Sequence, residues 1–151
     1  MARWREFESL APTLAAAGRR IWEEIDLAYI ATVSRQGWPR VHPIVVVFVE
    51  GDLAFAIGKQ TPKFGDLQRD GRCALHTPHL NAQDEEYALR ARVVAADAAE
   101  SRARFDAAAP YQLKEQEHVF TLELESALWT RWFHPGQPDT RPIRELWKAK
   151  R

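Results

Sequence analysis

The sequence predicts a mostly β fold, an antiparallel barrel with short helices at its periphery. Two observations lead to this class. Six segments have the β-branched, aromatic or alternating composition of strands. Most of them follow one another through short turns, as hairpins do, without the helical crossover that joins each pair of parallel strands. Strands in hairpin order with helices outside the series favour an antiparallel barrel of six strands.

An amphipathic helix is predicted first, over residues 6–25. Apolar side chains recur along it at spacings of three, four or seven; they are Phe7, Leu10, Leu14, Ile21, Trp22 and Ile25. Pro12 leaves open a start one turn further in, because proline is tolerated only in the first turn of a helix. We expect the apolar face to pack on the barrel or on a partner chain.

Residues 28–57 predict three consecutive strands, at 28–34, 40–49 and 53–57, separated by turns that contain Gly37 and Gly51. The second of these strands is almost continuously apolar and rich in β-branched residues.

Pro43 lies inside the second predicted strand and cannot donate a ladder hydrogen bond, which indicates a bulge or a sheet edge. The alternation of side chains places Arg40 and His42 on one side of this strand, and Val41 and Pro43 on the other. His42 is a candidate ligand contact or, equally, a strand histidine bonded to backbone or water.

The next element is a short helix over residues 61–69, with Thr61 as its N-cap and Pro62 at the first helical position. A helix N-terminus presents free N–H groups and the positive end of a dipole. Lys59 and Lys63 bring ammonium groups to it, and Arg40 begins the neighbouring strand. Two interpretations stay open: a phosphate pocket, or a simple cap beside solvated cations.

The second half of the chain predicts strands at 72–77, 86–96 and 118–133, a helix at 98–108 and a docked tail at 143–150. Alternation along the last strand places Trp132 with the apolar set of Phe120, Leu122, Leu124 and Leu128. The same alternation places Trp129 on the opposite face, where a large ring suits a ligand or a partner, unless the alternation breaks before that point. In the tail, Leu146 and Trp147 are the predicted docking residues.

Composition excludes several classes of protein. The 21 basic residues are balanced by 21 acidic ones, which argues against a nucleic-acid binder or a polybasic membrane surface. No apolar window approaches the ~18 residues of a transmembrane helix. The single Cys73 fits a reducing, cytoplasmic location. His76 and His79 lie near acidic residues, but a strand end and a proline interrupt them, so we expect no metal site.

Four short stretches carry a family likeness in the order of the predicted elements. They are Ala28-Tyr29-Ile30-Ala31-Thr32-Val33, Gly37-Trp38-Pro39-Arg40-Val41, Gly51-Asp52-Leu53-Ala54-Phe55 and Thr61-Pro62-Lys63-Phe64-Gly65-Asp66-Leu67. Together, over about residues 14–133, they resemble the pyridoxamine 5′-phosphate oxidase-like flavin-binding split barrels. The resemblance implies a six-stranded antiparallel split β-barrel of the FMN-binding type. It would form one domain over residues 1–151, with an N-terminal helix and a C-terminal tail.

The resemblance also implies a cofactor site. By position, Arg40, Thr61 and Lys63 would hold the FMN phosphate. The backbone near Val41, His42, Pro43, Ala56 and Ile57 would face the flavin ring. Family members are typically homodimers with the cofactor at the interface, and Trp129 is the candidate aromatic that the partner places beside the ring.

The implied activity is that of an FMN-dependent oxidoreductase that passes a hydride to a small planar acceptor. A deazaflavin-dependent reductase and a non-catalytic flavin-binding or stress-related protein are the alternatives. Two departures from the family pattern are visible. Asp66 replaces an asparagine near the phosphate position, and the C-terminal RPIRELWKAKR lacks the arginine signature of vitamin B6 oxidation.

Overall fold

The structure is a computed structural model in which residues 1–78 and 84–150 are described; His79, considered above as a metal ligand, lies outside them. The helices of this part are α1 (Trp4–Leu10), α2 (Pro12–Ile25), α3 (Pro62–Asp70) and α4 (Ala99–Ala108). Its strands are β1 (Leu27–Val33), β2 (Pro39–Val45), β3 (Val47–Val49), β4 (Asp52–Gly58), β5 (Arg72–His76), β6 (Glu85–Ala95), β7 (Glu117–Phe133) and β8 (Arg141–Lys148).

All strand pairings are antiparallel, and the strands follow the order β2-β1-β5-β6-β7-β4-β3, with β8 added on β7. β2 and β4 lie far apart in this order and yet contact each other, so the sheet curls into a split barrel. α3 packs on β1 and β4, whereas α1 and α2 pack against β7 and its neighbours. The predicted fold class is therefore confirmed, although the described residues form eight strands instead of six.

The first extra strand arises because the predicted strand 40–49 is interrupted at Val46. The amide of Val46 donates to the carbonyl of Asp26 at 2.9 Å and takes no part in the ladder. The chain leaves its pairing with β1 there and pairs with β4 as β3. Pro43 stands opposite Tyr29 without a register shift, and among the described strands β2 pairs with β1 alone, so of the two alternatives the proline marks a sheet edge.

The second extra strand is β8, where we expected only a docked tail. It forms a hairpin with the end of β7, in which Trp147 stands opposite Ala127. The ring of Trp147 packs on that of Phe7, with centroids 4.8 Å apart, as a docking residue should. Leu146 does not dock on the core, since alternation along the strand turns it to the other face, where it is 57% exposed.

The predicted helix 6–25 is two helices. Pro12 begins α2 at its first position, and Ala11 between the helices has the non-helical angles φ −145° and ψ 66°. The break lets α1 turn its buried Trp4 and Phe7 towards the aromatic core. None of the helices in the described residues is long and apolar enough to cross a membrane.

An irregularity in β7 overturns the predicted alternation of its side chains. Arg90 pairs with Ser126 whereas Ala91 pairs with Leu124, so Glu125 is an extra residue, as in a β-bulge. Beyond it the faces exchange. Trp129, which we placed on the non-core face, packs against the core.

Two apolar clusters fill the interior. The larger lies within the curled sheet and under α1 and α2, and it contains Trp4, Trp22, Phe55 and Tyr87. The smaller lies beneath α4, around Phe105. α4 packs on β3 and β7, and β3 and β4 contribute side chains to both clusters.

Gly18 in α2 gives the first testable prediction. A Cβ at this position would lie 2.6 Å from Cζ of the buried Tyr87, whose hydroxyl donates to the Leu14 carbonyl at 2.9 Å. We expect Gly18→Ala to lower the free energy of unfolding by about 1–3 kcal/mol, as overpacking of a core does. Denaturant unfolding of the purified variant measures this value.

Gly65→Ala is the matched control, because Gly65 also lies in a helix but a Cβ added to it would have nothing within 4 Å. There the gain in helix propensity should stabilise by up to about 1 kcal/mol. Equal effects of the two substitutions would contradict the close packing of α2 on β6.

Candidate functional site

The buried carboxylate of Asp66 lies where three elements of the fold meet. Asp66 belongs to α3 and its side chain is only 4% exposed. Its Oδ2 accepts hydrogen bonds from Thr32 Oγ1 of β1 and Arg40 Nε of β2, both at 2.9 Å. Its Oδ1 accepts from Nη2 of Arg69, one turn further along α3, at 3.3 Å.

These partners decide the charge of the carboxylate. Burial by itself would raise the pKa of Asp66. The hydrogen bonds from Arg40 and Thr32, together with the charge of Arg40, outweigh burial and hold the pKa below its usual range. Asp66 is therefore an ionised internal counter-ion for the two arginines at neutral pH.

His42 shares this region with Arg40 and Lys63. Burial lowers the pKa of His42, and the positive charges of Lys63 and Arg40 lower it further, against a smaller opposing effect of Asp66. Lys63 of α3 and Arg40 of β2 therefore lie near enough to His42 for their charges to act on it, and a shared role in holding a ligand stays a prediction. Nε2 of His42 is buried and has no hydrogen-bond partner within residues 1–78 and 84–150.

The start of α3 faces the same region. Thr61 is the N-cap residue and Pro62 is at the first helical position, as predicted. The hydroxyl of Thr61 makes no capping hydrogen bond, however, and donates to the carbonyl of Gly58 at 2.8 Å. Pro62 has no N–H, and the amides of Thr61 and Phe64 donate to the carbonyls of Gly58 and Thr61 at 3.0 and 3.1 Å. Within the described residues, the Lys63 amide is the N–H group of this helix start that stays available to an anion.

The remaining predicted contacts are distributed over different surfaces. Val41 and Pro43 lie on the exposed side of β2, opposite Arg40 and His42, which confirms the predicted alternation. Ile57 is 1% exposed within the main core, and Ala56 packs against the cluster beneath α4. The side chain of Ile57 is therefore closed to a ligand, whereas Ala56 is partly exposed, and the contact of β4 with a flavin ring stays a prediction.

Trp129 is held within its own chain. Its Nε1 donates to Glu85 Oε2 at 2.9 Å, and the guanidinium of Arg131 lies 4.0 Å above its ring. Glu85 in turn pairs with Arg20 of α2 at 2.8 Å. The role of Trp129 beside a partner's cofactor stays a prediction, but these contacts limit how far its ring can turn outwards.

A broad apolar surface lies on the face of the sheet opposite the helices; we call it the open face. It forms a concavity of about 600 Å³ across β1, β2, β5, β6, β7 and β8. Apolar side chains dominate its lining; they include Tyr29, Ala31, Val41, Ala74, Leu128 and Leu146. Arg90, Arg144, Lys148 and His76 add basic groups to it.

Two other candidate chemistries receive no support from geometry. Burial raises the pKa of the Cys73 thiol to about 12, as expected for a small buried residue and not for a nucleophile. Among the described residues, no group of three or more His, Cys, Asp or Glu side chains could hold a metal ion.

Sequence reasoning missed Thr32 and Arg69 as partners of Asp66. Thr32 is the one aliphatic hydroxyl within the apolar run of β1, and this isolated polar residue is the signal that could have identified it. Arg69 follows Asp66 at the i, i+3 spacing that places two helical residues side by side. Neither pattern identifies Asp66 as the partner in β1 and β2 contacts, because those contacts depend on how α3 docks on the sheet.

The chain matches a known protein family over most of its length. A family model described as pyridoxamine 5′-phosphate oxidase matches residues 14–132. A search of curated proteins gives no match to this sequence.

Several solved structures share the fold. A heme binding protein from Mycobacterium smegmatis is 15% identical with a TM-score of 0.65, over 86% of this chain and 57% of that one. HutZ, a heme storage protein from Vibrio cholerae, is 13% identical with a TM-score of 0.61, over 74% and 90% of the two chains. A Clostridium acetobutylicum protein related to general stress protein 26 is 10% identical with a TM-score of 0.66, over 91% and 94%.

Asp66→Asn should change how stability depends on pH. The lowered pKa of Asp66 contributes stability that is complete above the unfolded value of about 3.9 and is lost as pH falls through the folded value. At pH 7 the variant should be less stable by about 1–3 kcal/mol. Once pH falls below the lowered pKa of the folded state, the wild-type carboxyl is protonated and resembles the amide, so the difference should shrink. Urea unfolding across this pH range measures it, and a difference independent of pH would contradict the ionised counter-ion.

Proposed function

Since the chain belongs to the pyridoxamine 5′-phosphate oxidase family, we propose that it is an FMN-binding oxidoreductase that passes a hydride to a small planar acceptor. When bound, the flavin ring supplies the hydride chemistry, and the chain supplies binding and orientation. The observation that carries the proposal is the meeting of Arg40, His42 and Lys63 at the uncapped start of α3.

The donors at this place suit a phosphate. Nε of Arg40 is used by Asp66, but its terminal nitrogens make no hydrogen bond within the described residues. A guanidinium presents two parallel N–H groups to a phosphate, and an ammonium such as that of Lys63 adds a point charge. The N–H of Lys63, in the first turn of α3, completes an anion site of the kind that helix starts form. We call these three groups the phosphate cradle.

Other ligands could bind in the same region, and the binding titrations described below distinguish them from FMN. A deazaflavin coenzyme would make the chain a reductase of a related kind. Flavin binding without turnover of a reduced nicotinamide or an acceptor dye would indicate a non-catalytic protein, and one structural neighbour is described as related to a general stress protein.

Heme is the second candidate ligand, because two structural neighbours are described as heme binding or heme storage proteins. One observation on this chain favours it. His76 borders the open face, and its Nδ1 lies 2.7 Å from the Thr77 carbonyl. If Nδ1 carries the proton and donates to that oxygen, the lone pair of Nε2, which lies 3.8 Å from Oε2 of Glu86, is a potential iron ligand. The basic groups of the open face would suit heme carboxylates.

We also propose that the chain acts as a homodimer with the cofactor at the interface, in the cytoplasm. The open face supports a dimer, since Tyr29, Val41 and Leu146 are large apolar residues left exposed on it. Val41 adjoins Arg40 in β2, so a second copy seated there would lie next to the phosphate cradle. The buried and unpaired Cys73 is compatible with a reducing compartment.

Lys63→Ala tests the phosphate cradle. Loss of the ammonium should weaken FMN binding by about 1.5–3 kcal/mol, the range for a hydrogen bond to a charged group, and leave riboflavin binding unchanged. Quenching of flavin fluorescence gives both affinities. The same titration with deazaflavin, and with heme followed by its Soret band, distinguishes the alternative ligands.

Lys59→Ala is the matched control, because Lys59 lies four residues earlier and its ammonium faces Asp97 at 3.7 Å. It should leave the preference for FMN intact. Two results would overturn the flavin proposal. In the first, the wild-type protein binds FMN no better than riboflavin. In the second, the wild-type protein binds heme and no flavin, and His76→Ala abolishes the heme complex.

Leu146→Glu tests the dimer. The wild-type protein should sediment as a dimer at micromolar concentration, and a carboxylate on the open face should weaken association roughly 100-fold. Leu10→Glu is the control, since Leu10 is 59% exposed, against 57% for Leu146, and does not line the open face. A monomeric wild-type protein, or a dimer insensitive to Leu146→Glu, would contradict the proposed interface.

A further inference from the structure

We infer that Asp66 is a positioning residue, which holds Arg40 by its Nε so that the terminal nitrogens of the guanidinium stay directed at the cofactor phosphate. This inference rests on the proposed FMN function. In the family pattern an asparagine stands at the position of Asp66, so the resemblance gives this residue no role. Its negative charge lies next to the proposed site for an anion.

The first argument is geometric. Arg40 is attached to Asp66 by one end of its guanidinium, through Nε at 2.9 Å. A phosphate binds a guanidinium through two parallel N–H groups, and the terminal nitrogens can supply them while Nε stays with Asp66. Arg40 can therefore bind the carboxylate and the ligand at the same time, so Asp66 need not be displaced.

The second argument is that Asp66 cannot move. Its carboxylate is 4% exposed and receives donors from β1, β2 and α3. The Nη2 of Arg69 that donates to Asp66 also donates to the Val33 carbonyl of β1. An arginine held by such an anchor loses little freedom when it binds a ligand, which is the gain from preorganisation.

The third argument concerns charge. The carboxylate of Asp66 pairs with two guanidinium groups, those of Arg40 and Arg69. Together with the ammonium of Lys63, the cluster therefore keeps a surplus of positive charge. A phosphomonoester carries about −1.5 to −2 at pH 7 and matches such a surplus. The negative charge of Asp66 is thus compensated within the fold and does not oppose the ligand.

Asp66→Asn distinguishes positioning from repulsion. A carboxylate has two oxygens that accept all three donors, whereas an amide has one oxygen and turns its NH₂ group towards an arginine or the threonine. If Asp66 positions Arg40, the ratio of FMN to riboflavin affinity should fall about tenfold, although the variant is more positive. If Asp66 only repels the phosphate, the ratio should rise, and an unchanged ratio means that Asp66 acts on the fold alone. Either of these results overturns the inference.

Asp70→Asn is the matched control. It makes the same chemical change in the last residue of α3, where the carboxylate pairs with Arg72 at 2.5 Å and not with the cradle. The affinity ratio of this variant should equal that of the wild type. A wild type without preference for FMN over riboflavin would defeat the proposed function itself, whereas a preference that Asp66→Asn leaves intact would defeat only the inference.

A measurement on the wild-type protein covers the case in which Asp66→Asn does not fold. The Arg40 Nε–H proton should give a slowly exchanging ¹⁵N-correlated NMR signal in the free protein, assigned by its absence from Arg40→Lys. The signal should persist when FMN is added, while signals of the terminal nitrogens shift. Loss of the Nε–H signal on binding would show that the phosphate displaces Asp66, and would overturn the inference.

Discussion

The carboxylate of Asp66 is the constraint on which the candidate site depends. It joins β1, β2 and α3 through donors from Thr32, Arg40 and Arg69, at the point where the curled sheet meets a helix. A buried charge is tolerated only when it is paired and hydrogen-bonded, so α3 can dock in one way that satisfies all three donors. The docking of α3 then fixes where Lys63 and the uncapped helix start lie.

Strand β2 connects this anchor with the open face. Its alternation directs Arg40 and His42 towards α3, and Val41 and Pro43 to the exposed side of the sheet. The phosphate cradle and the open face, which the proposed dimer covers, therefore adjoin each other at one edge strand. A change in how β2 lies would alter both, which is a physical reason to expect ligand binding and association to influence each other.

The extra residue in β7 defines the rest of the open face. Because Glu125 shifts the register, Leu128 lies on the exposed side and Trp129 packs inwards against the core. β8 then adds Leu146 beside Leu128. A strand without the irregularity would bury Leu128 and expose Trp129, and the concavity would lose its present lining.

The sequence by itself determined the antiparallel β class, the place of α3, the alternation of β2 and the candidates Arg40, His42 and Lys63, because these depend on local periodicity and helix-start chemistry. Only the tertiary structure decided that Val46 breaks a strand, that the tail is β8, and that Trp129 packs inwards. It also decided that Asp66 is neutralised by Arg40 and Arg69. Each of these outcomes depends on a partner distant in sequence, such as Asp26 for Val46 or Thr32 for Asp66, and no local pattern specifies such a partner.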